Sequence, residues 1–197
     1  MNVTIAVALI MGIISPVLVI FIRHWLTYRK KKPDTIRETL YMSEKVLAKL
    51  DYIKEAFLSD RVWVTQFHNG GNFYPSGKSM AKFSVIYEVV GAGTASIQSL
   101  FQNIQVNLFS KSINQLLLND AIIISDYRDE TIATYGLKYI ADDTGCKSGY
   151  LLAIKTIDDK FIGVMGLDYT KKKHVLDAED INELQIHATS IGGVLMK

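Results

Sequence analysis

Four histidines, one cysteine and the aspartates Asp126 and Asp129 offer most of the side-chain chemistry in this chain. His24, His68, His174 and His187 are far apart, with no Cys/His alternation and no His-Glu-x-x-His spacing, so no metal site is expected. Cys146 is the sole cysteine, so no intramolecular disulfide can form, in keeping with a reducing compartment. A single thiol ordinarily acts as a small, buried apolar group. Asp126 and Asp129 are spaced for a turn or a helix cap rather than for shared acid–base work. No Ser/His/Asp order, phosphate-binding loop or dinucleotide fingerprint occurs, so no enzymatic activity is expected. One stretch joins flexible backbone to a polar ring and aromatics: His68-Asn69-Gly70-Gly71-Asn72 followed by Phe73-Tyr74. Binding residues favour such loops, so His68, Asn69, Phe73 and Tyr74, with Tyr87 on the following strand, are the candidate ligand-binding residues. The competing reading is that Asn69-Gly70-Gly71 lets the chain turn while His68 bonds the backbone.

The elements that must hold such a site are clearest near the C-terminus. Tyr150–Ile157 and Phe161–Tyr169 are two apolar runs either side of Asp158-Asp159-Lys160, the pattern of an antiparallel hairpin. Both are apolar at nearly every position, which places them mid-sheet with both faces covered. Gly163 and Gly166, inside the second strand, imply a bulge or a close backbone approach. Asp177 is a natural N-cap for a helix to Met196, with Glu179 and Asp180 favourable in its first turn. Arg61–Phe67 alternates as a first strand, with Val62 and Val64 on one side, and Phe83–Val90 is a second. Ala121–Ser125 reads as a buried strand and Ile132–Ile140 as a short helix. Residues 94–118 are ambiguous: Ile97, Leu100, Phe101, Ile104 and Leu108 keep helical spacing, yet Ile104–Phe109 also fits a strand.

The order of strand, acidic turn, strand with Ile162-Gly163-Val164, polar loop, acidic cap and terminal helix resembles the C-terminal half of GAF domains. The Ile-rich strand and acidic loop at 121–129 resemble their middle. The resemblance covers roughly residues 59–196 and is specific mainly from about Leu116 onward. It implies an α/β (α+β) fold with a central antiparallel sheet flanked by helices, and a ligand-sensing or dimerising task. The Asn-Lys…Phe-Asp signature of cyclic-nucleotide-binding members is missing from Asp168–Asp180. Cys146 stands in no chromophore-attachment motif, and one cysteine cannot support methionine sulfoxide reductase chemistry. No cofactor is therefore expected.

The charge balance, 22 Lys+Arg against 20 Asp+Glu, is too even for a nucleic-acid footprint. Val3–Ile22 carries no charge, and ~20 residues at ~1.5 Å each would span a bilayer core. No basic n-region precedes it. Trp25 and the cluster Arg29, Lys30, Lys31, Lys32 follow, so a retained anchor is expected, with the N-terminus outside and the C-terminal domain in the cytoplasm. The expected division is 1–33 anchor and basic flank, 34–58 amphipathic linker helix, 59–197 GAF-like domain. On the linker, Val46, Leu50, Ile53 and Phe57 form a stripe that either packs on its own domain or pairs with a second helix. Together with Ile181, Leu184, Ala188, Ile191 and Leu195 on the last helix, it leads to a homodimer as the expectation. The functional expectation is a membrane-anchored, non-enzymatic sensory or adaptor module signalling to a separate output protein. The alternative is a phage holin-like, membrane-permeabilising protein, which some tailed-phage holins resemble in layout.

Overall fold

The computed structural model describes residues 12, 14–29, 35–131 and 137–196. The chain divides into two compact units, Met1–Thr39 and Leu40–Lys197. In the first, helix α1 (Ser15–Arg29) carries exposed apolar side chains from Val17 to Ile22, and Trp25 is exposed as well. Its 15 residues give about 22 Å of helix. Among the described residues no helix is long and apolar enough to cross a membrane. About half of Val3–Ile22, and Lys30, Lys31 and Lys32, lie outside the described residues.

Helix α2 (Thr35–Ala56) runs uninterrupted, since no Gly or Pro breaks it. The second unit is built on a six-stranded antiparallel sheet in the order β3-β2-β1-β6-β5-β4. Its strands are β1 (Arg61–Asn72), β2 (Ser79–Val90), β3 (Ile104–Gln105), β4 (Ala121–Ile124), β5 (Ser148–Lys155) and β6 (Phe161–Tyr169). Helices α3 (Ser110–Asn119), after a 3-10 turn at Val106–Phe109, α4 (Leu137–Thr144) and α5 (Ala178–Leu195) complete the unit. The β5–β6 hairpin is central and buried on both faces, as its apolar runs require. The ambiguous stretch 94–118 proves to be turns, a two-residue strand and α3, and of the short helix expected at 132–140 only the part from Leu137 is described.

The period of two sorts the strands' side chains between two cores. On one face Val62, Val64, Tyr150, Leu152, Ile154, Met165, Leu167 and Tyr169 pack with Val46, Leu50, Ile53 and Phe57 of α2 and Leu184, Ala188 and Ile191 of α5. On the other face Leu151, Ala153, Val164, Ile122 and Ile124 pack with Leu116, Leu137 and Ala141. Ile162 falls on the α2/α5 face, although parity with Val164 would put it on the other. The cause is a bulge: Ile154 pairs with Gly163 but Lys155 with Phe161, leaving Ile162 unpaired.

This packing corrects the expected dimer seam. Val46, Leu50, Ile53, Leu184 and Ile191 are each 0 % exposed and Phe57 is buried, all within one chain. Ile181 and Leu195 are partly buried against the same core. One face of a six-stranded sheet is wide enough to cover both stripes, so neither remains free to pair. For the same reason α2 from Leu40 onward belongs to the domain rather than to a linker ending at 58. Gly192 of α5 admits β5: a Cβ there would stand 2.3 Å from the Lys155 carbonyl oxygen.

Helix α2 ends in a left-handed residue that is not glycine. Leu58 has φ 51°, with Ser59 N–H bonding the Lys54 carbonyl and Leu58 N–H bonding that of Glu55. Its side chain is 71 % exposed and offsets little of the strain. Leu58→Gly is expected to raise stability by up to about 1 kcal/mol, read as a later midpoint in chemical denaturation.

Candidate ligand cavity

The face of the sheet turned away from α2 and α5 is not filled. Between it, residues 91–103, α3 and α4 lies a cavity of about 70 Å3. The odd positions of β1 (Arg61, Trp63, Thr65, Phe67) line it, because Val62 and Val64 turn to the other core. Phe83 and Val85 of β2, Leu151 of β5 and Val164 of β6 form the rest of the floor. Ile97, Phe101, Phe109, Ile113 and Leu116 close it from above.

The cover is tied down by side chains rather than by regular structure. The Glu88 carboxylate accepts from Ile97 N–H at 2.8 Å, Gln98 N–H at 3.1 Å and the Ser96 hydroxyl. Gln102 Nε2 donates to the Val85 carbonyl and Asn103 N–H to Ser84 Oγ, at 2.8 and 2.9 Å. The helical spacing of Ile97, Leu100 and Phe101 forms no helix, and residues 91–103 take their shape from β2.

At one end the cavity meets a buried ion pair. Arg61 Nε donates to Asp168 Oδ2 at 2.8 Å, and Nη2 lies 2.6 Å from the same oxygen. Nη1 donates to the Ala95 carbonyl at 2.8 Å and Nη2 to Thr144 Oγ1 at 3.4 Å. Trp63 Nε1 also donates to Asp168 Oδ2, at 2.9 Å. One guanidinium therefore joins β6, the cover and the end of α4. Burial pushes the Cys146 thiol far above its ordinary pKa, and the Asp168 charge adds to this. The thiol itself donates to the Ser148 carbonyl at 3.3 Å. Burial and then Asp168 likewise push the Tyr127 phenol up. Both groups stay protonated near neutral pH, so Cys146 is no thiolate nucleophile.

Two glycines make the arrangement possible, confirming the close approach expected of them. At Gly163 a Cβ would stand 2.0 Å from the Thr65 carbonyl oxygen. At Gly166 it would stand 2.1 Å from the Trp63 ring, so the indole lies flat over β6 only because position 166 is bare. Gly166→Ala is expected to cost about 1–3 kcal/mol by overpacking and to expel the indole from Asp168. A shifted Trp63 emission spectrum, read in a Trp25→Phe background, checks the displacement.

None of the five sequence-derived candidates lines this cavity. β1 continues as strand through Asn72, so His68 and Asn69 lie within a long hairpin arm instead of a turn beside the sheet. His68 Nε2 bonds Ser84 Oγ at 3.0 Å, and Asn69 Oδ1 accepts from Gly71 N–H and Ser79 Oγ. Phe73 is half exposed and Tyr74 is 98 % exposed at the hairpin tip. Tyr87 packs toward the α2 core, its hydroxyl 3.2 Å from Ser43 Oγ. Sequence reasoning missed Arg61 and Asp168. The available signal was Asp168 itself, a lone carboxylate inside an otherwise apolar strand, which demands a buried partner.

A sheet with two helices on one face and a covered cavity on the other defines a GAF-like fold, and comparison with solved structures agrees. The blue-light-absorbing form of the PixJ GAF domain of Thermosynechococcus elongatus is 14% identical, with a TM-score of 0.62 over 79% of this chain and 84% of that one. A phycocyanobilin-bound GAF domain from a cyanobacterial phytochrome is 15% identical, with a TM-score of 0.57 over 80% and 86%. The GAF domain region of what is described as a membrane protein of Geobacter sulfurreducens is 14% identical, with a TM-score of 0.58 over 83% and 98%. No protein-family model and no curated protein matches the chain.

Proposed function

We propose that this chain is a non-enzymatic sensory module that binds a small molecule in the cavity between its sheet and residues 91–103. The observation that carries this reading is the covered, almost wholly apolar cavity backed by a single buried ion pair. Such a site holds a ligand by shape and burial, with few polar groups to orient it. It lacks the makings of catalysis: Arg61 and Asp168 neutralise each other, and the Cys146 thiol is held protonated. The phycocyanobilin of the phytochrome neighbour is not carried across, because a tetrapyrrole far exceeds about 70 Å3.

The module is anchored at a membrane through Val3–Ile22. The uncharged run and the exposed apolar side chains Val17–Ile22 of α1 support this, and Arg29–Lys32 favour a cytoplasmic domain. It acts as a homodimer that passes occupancy to a separate output protein. Pairing uses Leu40 and Leu47 of α2, one heptad apart and exposed, instead of the buried stripe. The test is a thermal-shift screen of a metabolite panel on the full chain in lipid nanodiscs, beside Ile113→Phe, which fills the cavity from α3. At least one compound should stabilise the wild type and leave the filled variant unmoved. A panel that shifts both alike, or neither, contradicts the reading.

A further inference from the structure

We infer that the ligand of this cavity is a neutral, single-ring aromatic compound carrying one O–H or N–H donor. This rests on the sensory reading above and narrows it to a chemical class. Size comes first. By the measure that gives about 70 Å3 here, one water needs roughly 10–15 Å3. The space is therefore smaller than the roughly 150 Å3 apolar cavity that stays dry and takes benzene, so one small ring is the upper limit. A fatty chain or a fused multi-ring compound does not fit.

The lining selects a ring. Trp63, Phe67, Phe83, Phe101 and Phe109 surround the space. Phe83 and Phe109 already meet edge to face, centroids 5.6 Å apart at 70°. A further aromatic ring can join such a set in offset or edge-on contact at about 4.5–7 Å.

Charge is excluded from both sides. Among the described residues the only charged groups lining the cavity are Arg61 and Asp168, and they neutralise each other. An anionic ligand would bring a charge that Arg61, already paired with Asp168, does not offset. An ammonium ligand would bring an uncompensated charge into an apolar site whose carboxylate Arg61 already neutralises. A neutral ligand keeps one opening. The Arg61 and Trp63 bonds all go to Asp168 Oδ2, and the Cys146 thiol, a weak donor, is the other side chain within bonding reach of this carboxylate. Oδ1 and the Tyr127 hydroxyl each lie 3.2 Å from where a Gly149 Cβ would stand, so no side chain at 149 comes between them. A single donor on the ring can bond Oδ1 without disturbing the ion pair.

The test uses the full chain in nanodiscs with 4-fluorophenol, 4-fluorotoluene and 4-fluorobenzoate, each followed by ligand-observed 19F NMR. Ile113→Phe in the same nanodiscs subtracts partition into lipid. The phenol should bind about tenfold more tightly than the toluene, the benzoate should not bind, and the filled variant should bind none. Equal binding of phenol and toluene removes the role of Oδ1, and benzoate binding as tightly as phenol overturns the charge argument. If none of the three binds while another compound in the metabolite panel stabilises the wild type but not Ile113→Phe, the aromatic assignment falls and the sensory reading stands. Should Ile113→Phe fail to fold, Val85→Phe fills the cavity from the floor.

Discussion

Arg61→Met is expected to destabilise the domain by about 3–5 kcal/mol, since it strands the Asp168 carboxylate in a site that is almost fully buried. Asp168→Asn should cost a similar amount by leaving the guanidinium without its counter-charge. Combining Arg61→Met with Asp168→Leu should recover much of the loss, because a buried pair replaced by apolar groups of similar size is often close to neutral. The recovery will fall short of complete, as Trp63 Nε1 and the Ala95 carbonyl lose their partners. Urea unfolding of the wild type, Arg61→Met, Asp168→Leu and their combination measures the cycle. Amide hydrogen exchange adds a second reading: residues 91–103 should exchange faster in Arg61→Met, because the guanidinium no longer holds Ala95. Additive single effects with unchanged exchange would show that the pair neither couples to the cover nor resists desolvation.

The second large effect concerns Leu50→Glu with Leu184→Glu. Were these residues a dimer seam, the double variant would be a folded monomer. Both are 0 % exposed inside one chain's core, on facing helices over the same sheet face. Each glutamate must either be buried or push its helix away from the sheet, and each outcome costs several kcal/mol. Two such changes rival the whole stability of an ordinary domain, roughly 5–15 kcal/mol. The expected result is loss of cooperative unfolding and of near-ultraviolet dichroism. A well-folded monomer would place the two stripes at an interface and contradict the packing described here. Leu40→Glu and Leu47→Glu are the matching surface changes, expected to leave the fold intact.

What the sequence shows well is what local pattern and burial decide together. Tyr150–Ile157 and Phe161–Tyr169 are apolar throughout because two cores sandwich them, so the hairpin, its central place and the capped terminal helix could be read directly. The helical stripes were equally legible, but their destination was not. A 3.6-residue period says that a face is buried and is silent on whether a sheet or a second copy buries it. The cavity was the least legible feature. Its lining comes from strands, turns and helices as distant as Arg61 and Asp168, 107 residues apart. Its cover, residues 91–103, is shaped by Glu88 and Gln102 rather than by any repeat. His68–Tyr74 drew attention through its glycines and aromatics. Those residues build a hairpin tip that projects past the sheet, where Tyr74 meets solvent and no cavity.

Xenon offers the most direct measurement of the central claim, that a dry apolar cavity lies beneath residues 91–103. Methyl-resolved NMR of the full chain in nanodiscs under xenon pressure should shift Ile97, Ile113, Leu116, Leu151 and Val164, which line the cavity, and leave Leu50, Ile154, Leu184 and Ile191 in place. Ile113→Phe should abolish the shifts. Perturbations spread evenly over both cores, or absent from the first set, would mean that the face opposite α2 and α5 is filled and that the site described here does not exist.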